Sequence, residues 1–180
     1  MLEDRILVWK IKGGNREALR QVYEKYKGDV LTVAQSMVND KVEAEQILND
    51  VFISFAGAIP YLHFFGSLKN HLITCAVNKI RGRIGTEMYR IVEVERHGLV
   101  EPDSDVSRRP TGADEESEII NNALAEIPPQ QREVVVLRLQ AGLEFSEIAR
   151  IQDIATSNVQ ARYYYGIEKL HSILDRIIAE

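Results

Sequence analysis

The last third of the sequence carries polar side chains whose types and spacing could hydrogen-bond to DNA bases. Asn and Gln amides can pair with adenine through two bonds, Arg with guanine or phosphate, and Tyr with phosphate. On one predicted helix these types stand on a single face, which comprises Ser157, Asn158, Gln160, Ala161, Arg162, Tyr164 and Tyr165. The pattern predicts a groove-reading surface, whose chemistry is recognition rather than the breaking of a covalent bond.

A helix-turn-helix is the element that would position this face. Apolar residues recur at steps of three and four along the same helix: Val159, Tyr163, Ile167, Leu170 and Leu174. That spacing predicts a long helix with its apolar side turned inward. Ahead of it, residues 145–151 predict a two-turn helix and residues 153–155 predict the turn. Thr156 or Ser157 is the expected N-cap, because hydroxyl side chains accept the first backbone N–H groups of a helix.

Proline and glycine mark a further helix before that unit. Pro128 and Pro129 suit the first turn of a helix, where the N–H that proline lacks would be unpaired anyway. Gly142 can end that helix by adopting a left-handed conformation. Its apolar side is predicted to comprise Val134, Leu137 and Leu139. The competing interpretation of residues 123–170 is a helical hairpin whose polar face simply contacts water.

The first half of the sequence predicts four helices with short connections and shows no strand-like alternation. Gly13 and Gly14 would end the first helix and Asn15 would cap the second, while residues 39–40 and Ser67 separate the others. The second helix has an apolar stripe of Leu19, Val22, Tyr23, Tyr26, Val30, Ala34 and Val38. The third is marked by Val42, Ile47, Leu48, Val51, Phe52 and Phe55. Amphipathic helices of this kind form a bundle because each must bury one face.

The connection between the third and fourth helices is unusually rich in aromatic rings. Tyr61, His63, Phe64 and Phe65 lie within a predicted loop of residues 57–67. The fourth helix follows with polar and basic side chains, among them Lys69, Asn70, Asn78, Lys79 and Arg81. Aromatic rings stack on unpaired bases for about 1–3 kcal/mol each, and cations follow the backbone. We interpret the loop and helix as a site for single-stranded DNA; in the alternative, Phe64 and Phe65 fill the core of the bundle.

Composition excludes several classes of protein. The chain has 180 residues, 45% of them hydrophobic, a net charge of −5 and one cysteine, Cys75, so an internal disulfide is impossible. Cys75 and His71 would share a helix face, but two ligands without others nearby make a poor metal site. The sequence has no phosphate-binding glycine loop, catalytic triad or apolar run of about 20 residues, so we expect no enzyme, cofactor or membrane insertion. The acidic start, which lacks signal-peptide character, predicts a cytoplasmic protein.

The C-terminal stretch resembles region 4 of bacterial RNA polymerase sigma factors of the extracytoplasmic-function group. The L-P-P-x-Q-R-E-V motif of that region is matched by Ile127, Pro128, Pro129, Gln131, Arg132, Glu133 and Val134. The E-I-A and T-V-x-x-R motifs are matched by Glu147, Ile148, Ala149, Asn158, Val159 and Arg162, with Asn158 in place of Thr. The resemblance implies that the polar face reads the minus-thirty-five promoter element and that this domain binds the polymerase β flap.

Residues 1–85 resemble region 2 of the same family. The helix pattern A-E-D-L-x-Q-E-x-F is matched by residues 44–52, with Gln in place of Asp and Asn in place of Gln. The resemblance implies binding to the polymerase β′ clamp through Glu45, Gln46, Asn49, Asp50 and Phe52. It also implies that the minus-ten element is opened and bound by Tyr61, His63, Phe64, Lys69, Asn70, Asn78, Lys79 and Arg81. Without the resemblance, an ordinary solvated helix face would account for Glu45 and Asp50.

These inferences combine into an all-α chain of two small helical domains: a region 2 four-helix bundle at 1–85 and a region 4 helix-turn-helix at 117–180. Between them, residues 86–116 predict an acidic, flexible linker. The predicted function is that of a sigma factor, which binds core RNA polymerase and directs promoter-specific transcription initiation. The resemblance further implies a stress or envelope-signal response and an anti-sigma factor. The alternative is a stand-alone helix-turn-helix regulator whose helical first domain binds a partner.

Charge favours the sigma-factor interpretation over that alternative. Residues 117–180 hold six basic and nine acidic residues, a net charge of −3. Since phosphate neutralisation supplies most non-specific affinity, such a domain should bind DNA poorly alone. A sigma factor tolerates this weakness, because polymerase holds both domains on one promoter and raises their effective concentration.

Overall fold

The computed structural model describes residues 2–61, 66–97 and 113–179; for 84–97, 113–114 and 178 it describes the backbone only. All regular elements in these ranges are helical, which confirms the predicted all-α class. They are α1 (Leu2–Lys12), α2 (Arg16–Val38), α3 (Lys41–Ala58), a short 3-10 helix (Ile59–Tyr61), α4 (Leu68–His97), α5 (Ala113–Ala125), α6 (Pro129–Leu139), α7 (Phe145–Gln152) and α8 (Thr156–Ile178). We refer to α1–α4 as the N-terminal unit and to α5–α8 as the C-terminal unit.

The helix boundaries of the N-terminal unit follow the predicted breaks. Gly14, with φ of 83°, follows the end of α1. The Asn15 carboxamide oxygen then caps α2 by accepting a backbone N–H at 3.0 Å. Asn39 adopts the left-handed conformation, with φ of 53°, and ends α2, while the Asp40 carboxylate caps α3 at 2.7 Å. Each boundary is set by chemistry within a few residues, which is why sequence could locate it.

α2 lies at the centre of the N-terminal unit and packs against α1, α3 and α4. Its most deeply buried side chains are Val22, Val30, Val33 and Ala34. At the edge of this core the Tyr23 and Phe52 rings meet edge to face, with centroids 4.9 Å apart. Val42 was predicted to join the core but is 56% exposed, because it lies about 200° around α3 from the fully buried Ala44.

A buried carboxylate fastens α1 to α2. Asp4 is only 6% exposed, and its Oδ1 accepts hydrogen bonds from Tyr26 Oη at 2.7 Å and Lys25 Nζ at 3.0 Å. Burial alone would raise the pKa of Asp4, but the bonds from Tyr26 and Lys25 outweigh it and hold that pKa below its usual value. Burial, together with the bond to Asp4, raises the pKa of Tyr26 to about 12. The pair is therefore ionised carboxylate and neutral phenol at neutral pH.

The C-terminal unit has the predicted layout of a helix followed by a helix-turn-helix. Pro129 starts α6, and Gly142, with φ of 72°, makes the turn towards α7. Asp153, with φ of 53°, turns the chain towards α8. The predicted N-cap of α8 at Thr156 or Ser157 is wrong: the cap is Ala155, which has no side-chain oxygen to offer. The helix start is instead fixed by the tight turn from Asp153.

α6 and α8 pack closely at Gly166, which is buried. A Cβ at Gly166 would come within 2.7 Å of Val135 Cγ2, so only glycine fits without a shift. On α6, Val134 and Leu137 are fully buried as predicted, but Leu139 is 56% exposed. Leu139 lies about 200° around the helix from Leu137, so the two cannot share the packed side.

α4 is longer than predicted. It continues to His97, and α5 begins at Ala113, so helix occupies both ends of the expected linker at 86–116. Residues 98–112 of that linker lie outside the described residues. Among the residues that the structure describes, no helix is long and apolar enough to cross a membrane.

The two units touch each other as well as packing internally. α5 and α6 of the C-terminal unit both lie against α2 of the N-terminal unit. The chain is therefore folded back on itself, with the helix-turn-helix held beside the N-terminal bundle.

Candidate nucleic-acid and polymerase interfaces

The outer face of α8 carries the predicted groove-reading residues. Apart from Arg162, all are exposed: Ser157, Asn158, Gln160, Ala161, Tyr164 and Tyr165. The large rings of Tyr164 and Tyr165 remain 66% and 63% exposed. Neighbouring exposed aromatic rings are typical of a surface that binds a partner. Arg162 is half-buried, and its Nη1 donates to Gln152 Oε1 at 2.7 Å. The structure thus places these side chains together on one accessible face.

Aromatic contacts hold α8 against the shorter helix that precedes it. The Phe145 and Tyr163 rings meet edge to face with centroids 5.3 Å apart. The Arg138 guanidinium lies 4.9 Å from the Phe145 centroid and also donates to the Leu143 carbonyl at 2.9 Å. At the start of α7, the Glu144 N–H donates to the Glu147 carboxylate at 2.9 Å. These contacts fix the angle at which α8 presents its outer face.

The predicted minus-ten residues of α4 do not all share one side of the helix. Asn70 and Arg81 face the C-terminal unit, and Asn78 is exposed to solvent. Lys79 lies about 100° around the helix from Asn78 and so points in a different direction. Lys69 forms an ion pair with Asp29 of α2 at 2.8 Å. Only part of the predicted set is therefore available as one surface.

The aromatic loop beside α4 is only partly described. Tyr61, at the end of the 3-10 helix, is 83% exposed. His63 and Phe64, with their neighbour Phe65, lie outside the described residues. The fourth helix starts as predicted, with the Ser67 hydroxyl accepting the Asn70 N–H at 3.3 Å.

Two of the predicted minus-ten side chains contact the C-terminal unit. Asn70 Nδ2 donates to Glu147 Oε1 at 2.6 Å. Arg81 donates through Nε to Glu133 Oε2 at 3.0 Å and through Nη2 to the other oxygen of that carboxylate. Arg81 Nη1 also reaches the Ile151 carbonyl at 2.8 Å. Glu133 is only 6% exposed, whereas the Arg81 side chain is 37% exposed, so the ion pair is buried on its carboxylate side. Sequence reasoning missed it, since 52 positions separate the partners.

The motif arginine at 132 also joins the two units. Arg132 Nη1 donates to the Met37 carbonyl at 2.8 Å, and Nη2 donates to the carbonyls of Ala125 and Ile127 at 2.7 and 3.2 Å. Burial lowers the pKa of Arg132 below its usual value. The guanidinium therefore bridges α2 to the end of α5. In the sequence Arg132 was noted only as part of a motif, and its bridging contacts were not predicted.

The predicted polymerase-binding residues of α3 fall into three groups. Glu45, Gln46 and Asn49 are exposed to solvent. Asp50 accepts a bond from Arg83 Nη2 at 2.8 Å. Phe52 is only 8% exposed, so we assign it to the core of the bundle rather than to a contact surface.

α3 also exposes apolar side chains that the sequence did not identify. Val42 and Ile53 are 56% and 71% exposed. Together with Gln46 and Asn49 they recur at spacings of four, three and four, which places them on one stripe of the helix. That spacing was the available signal, but Val42 was counted with the apolar side of the helix, and Gln46 and Asn49 were assigned to polymerase binding from the resemblance alone.

His71 and Cys75 behave as core-edge residues. Their Nε2 and Sγ atoms are 3.8 Å apart, and the His71 ring lies near the Phe55 ring. Burial lowers the pKa of His71 and raises the pKa of Cys75. Within the described part of the chain, no group of three potential ligands is placed to hold a metal ion.

Comparison with known proteins shows that both halves of the chain match regions of one protein family. Residues 22–87 match the family described as Sigma-70 region 2, and residues 117–170 match Sigma-70, region 4. The RNA polymerase sigma-H factor of Pseudomonas aeruginosa is 22% identical over 190 residues, covering 99% of this chain and 97% of that protein. The ECF RNA polymerase sigma factor BldN of Streptomyces coelicolor is 24% identical over 172 residues, covering 93% of this chain but only 64% of BldN.

A solved structure shares the fold. The sigma factor RpoE from Bartonella quintana, in its co-crystal with the anti-sigma factor NepR, superimposes with a TM-score of 0.69 at 18% identity, covering 87% of this chain and 96% of that one. The described helices and both matched regions agree with the resemblance found in the motifs. The chain therefore belongs to the sigma-70 family of RNA polymerase sigma factors, in its extracytoplasmic-function (ECF) group.

Proposed function

We propose that this sigma factor recruits core RNA polymerase to promoters and that the outer face of α8 reads the minus-thirty-five element. The observation that carries the proposal is the accessible set of base-pairing side chains on α8, within the part of the chain that matches region 4. Asn158 and Gln160 supply amides for adenine, and Arg162 supplies a guanidinium for guanine or phosphate. Tyr164 and Tyr165 would position the helix through phosphate contacts.

The minus-ten element is assigned to the start of the N-terminal unit's fourth helix and the loop before it. Tyr61 offers an exposed ring for stacking on an unpaired base. Asn70, Asn78 and Arg81 lie towards one side of α4 within the match to region 2, and Lys79 lies about 100° around the helix from Asn78. The loop residues His63 and Phe64 complete the proposed site.

The polymerase-binding surface is the exposed stripe of α3. Gln46 and Asn49 form its polar centre, flanked by the exposed apolar groups of Val42 and Ile53. Glu45 and Asp50 add negative charge beside it, and the proposed partner is the β′ clamp. Ile53 is the most exposed apolar side chain of the stripe, at 71%, so its burial against the partner should contribute most to binding.

The acidic balance of the C-terminal unit fits this assignment. With a net charge of −3 over residues 117–180, α8 should hold duplex DNA weakly by itself. Binding of the C-terminal unit to the β flap would supply the missing affinity by raising its local concentration at the promoter. Promoter-specific initiation in the cytoplasm, within a stress or envelope-signal response, follows as the proposed role.

An anti-sigma factor is the other proposed partner. The structural relative RpoE was solved in complex with the anti-sigma factor NepR. A protein that covers α3 or the outer face of α8 would block polymerase or promoter binding in this chain.

Run-off transcription with core polymerase tests the proposal. Wild-type protein should give promoter-dependent transcripts from a random-sequence library, and α3 variant Ile53→Asp should lose both co-purification with core enzyme and transcription. Glu17→Ala is the matched control, since Glu17 is exposed on α2 away from the proposed surfaces. No promoter-dependent product from the library would refute the proposal. DNA binding that is as tight without polymerase as with it would favour the stand-alone regulator instead.

A further inference from the structure

α1 has a second apolar side that faces solvent. Leu2, Ile6 and Trp9 are 73%, 45% and 74% exposed, although α1 already buries Leu7 and Val8 where it packs against α2. The three exposed residues follow one another at steps of four and three, so they lie within about 60° of one another around the helix. α1 is therefore apolar on two opposite sides. Exposed apolar side chains that form one patch are typical of a surface that binds a partner.

Two cations flank this exposed side. Arg5 and Lys10 are exposed and lie on its opposite edges, each about 40° beyond the nearest apolar residue. Neither side chain forms an ion pair with any residue that the structure describes. The acidic residues of the same helix, Glu3 and Asp4, are both bound to Lys25, at 2.7 and 3.0 Å, which partly balances their charge. We call the exposed side, an apolar stripe between two positive edges, the α1 ridge.

Charge and shape decide which partner the α1 ridge fits. A second copy of the chain would bring Arg5 and Lys10 of both ridges together, and these like charges oppose the contact. An anionic partner complements both edges at once. A helix that binds in a protein groove is enclosed on most of its circumference, whereas α1 offers a single convex side because the other is buried against α2. That shape suits a soft, flat surface.

We propose that the α1 ridge binds the surface of a membrane that contains anionic lipids. Leu2, Ile6 and Trp9 enter the boundary between headgroups and acyl chains, where tryptophan is enriched in membrane proteins. Arg5 and Lys10 reach the lipid phosphates with their charged ends, while their aliphatic parts stay beside the apolar stripe. The contact is peripheral, because only one side of α1 takes part.

The charge of the N-terminal unit favours the same partner at longer range. Residues 1–85 hold twelve basic and nine acidic residues, so this part of the chain is attracted to an anionic surface before contact. The α1 ridge is separate from the exposed stripe of α3 and from the outer face of α8. The proposal therefore does not depend on the promoter and polymerase contacts assigned above.

Flotation of the full chain with vesicles of phosphatidylglycerol and phosphatidylcholine in equal parts tests the proposal. Wild-type protein should float with these vesicles and not with vesicles of phosphatidylcholine alone. Trp9→Gln should bind at least about tenfold more weakly, since a large apolar group no longer leaves water. Arg5→Gln with Lys10→Gln should bind roughly 30-fold more weakly, about fivefold for each cation.

Matched control variants change similar groups on other helices. Leu139→Gln replaces an exposed apolar side chain of α6, and Lys41→Gln with Lys169→Gln removes two exposed cations from α3 and α8. Charges away from the contact are screened by salt, so each control should change vesicle binding by less than about threefold.

Trp9 also supplies a spectroscopic readout, because it is the only tryptophan of the chain. Its fluorescence emission should move to shorter wavelength when anionic vesicles are added, since the indole leaves water for the lipid boundary. A single-stranded oligonucleotide at the same phosphate concentration should leave the emission unchanged.

The outcomes separate a lipid surface from other anionic partners. No binding to anionic vesicles, or binding without the shift in Trp9 emission, would overturn the proposal. A response of Trp9 to the oligonucleotide but not to vesicles would assign the α1 ridge to nucleic acid. If Arg5→Gln with Lys10→Gln kept full vesicle binding but lost run-off transcription, the ridge would be a protein contact instead. Failure of the promoter-binding proposal would show separately, as absence of transcript from the wild-type protein.

Discussion

Replacing Arg162 with alanine tests whether the outer face of α8 reads bases. In the structure Arg162 Nη1 already donates to Gln152 Oε1 at 2.7 Å, so a DNA contact must replace an existing bond. One good bidentate base contact is worth about 1–3 kcal/mol. Because the lost bond to Gln152 offsets part of that gain, the net loss should be about 1–2 kcal/mol, or roughly 5- to 30-fold weaker promoter binding.

The assay is fluorescence anisotropy of reconstituted holoenzyme on a promoter that wild-type holoenzyme has selected from a random library. Arg176→Ala is the matched control. It removes the same charge from α8, about 21 Å further along the helix, at a site where Arg176 pairs with Glu126. Removal of this exposed pair should change promoter affinity by less than about twofold.

Base substitutions in the minus-thirty-five element complete the test. Wild-type holoenzyme should lose affinity when the base under Arg162 is changed, whereas the Arg162→Ala holoenzyme should be indifferent at that position. Equal losses for Arg162→Ala and Arg176→Ala would refute the reasoning. So would a variant that keeps full sensitivity at every position of the element.

Three further predictions concern the scaffold. Gly166→Ala should destabilise the chain by about 1–3 kcal/mol, because its Cβ would collide with Val135; an unchanged thermal midpoint would contradict the close packing of α6 and α8. Asp4→Ala should cost about 1–3 kcal/mol in urea unfolding, since it leaves the buried Tyr26 hydroxyl without its acceptor, and a neutral result would show that α1 is not fastened there. Burial lowers the folded-state pKa of His71, so the unfolded chain takes up its proton first and stability should fall as pH drops below about 6.5. His71→Gln should lose that part of the pH dependence, and identical pH profiles would exclude this role.

Sequence predicted the elements whose cause is local. Asn15 and Asp40 are caps because a short polar side chain stands directly before an amphipathic run, and the structure shows both bonds. The faces of α2 and α8 followed from spacing, since the buried side of a helix repeats every three or four residues. Thr156 was wrong as a cap, because the turn at Asp153 starts the helix one residue earlier than side-chain preference suggested.

What depends on distant neighbours could not be predicted. The Arg81–Glu133 pair joins residues 52 positions apart, and no pattern within either segment marks the other. Val42 was assigned to the core because it is apolar, although only the position of α2 and α4 decides which side of α3 is covered. The helix through residue 97 was missed, because apolar periodicity reports burial rather than helical conformation itself.

The length of α4 has a consequence for how far the two promoter-reading units can separate. At 30 residues the helix is a rod of about 45 Å, and it leads the chain out of the N-terminal bundle. Residues 98–112 can span at most about 54 Å between its end and α5. The rod and the fifteen-residue connection after it therefore set an upper limit on the separation of two promoter elements that one molecule can bridge.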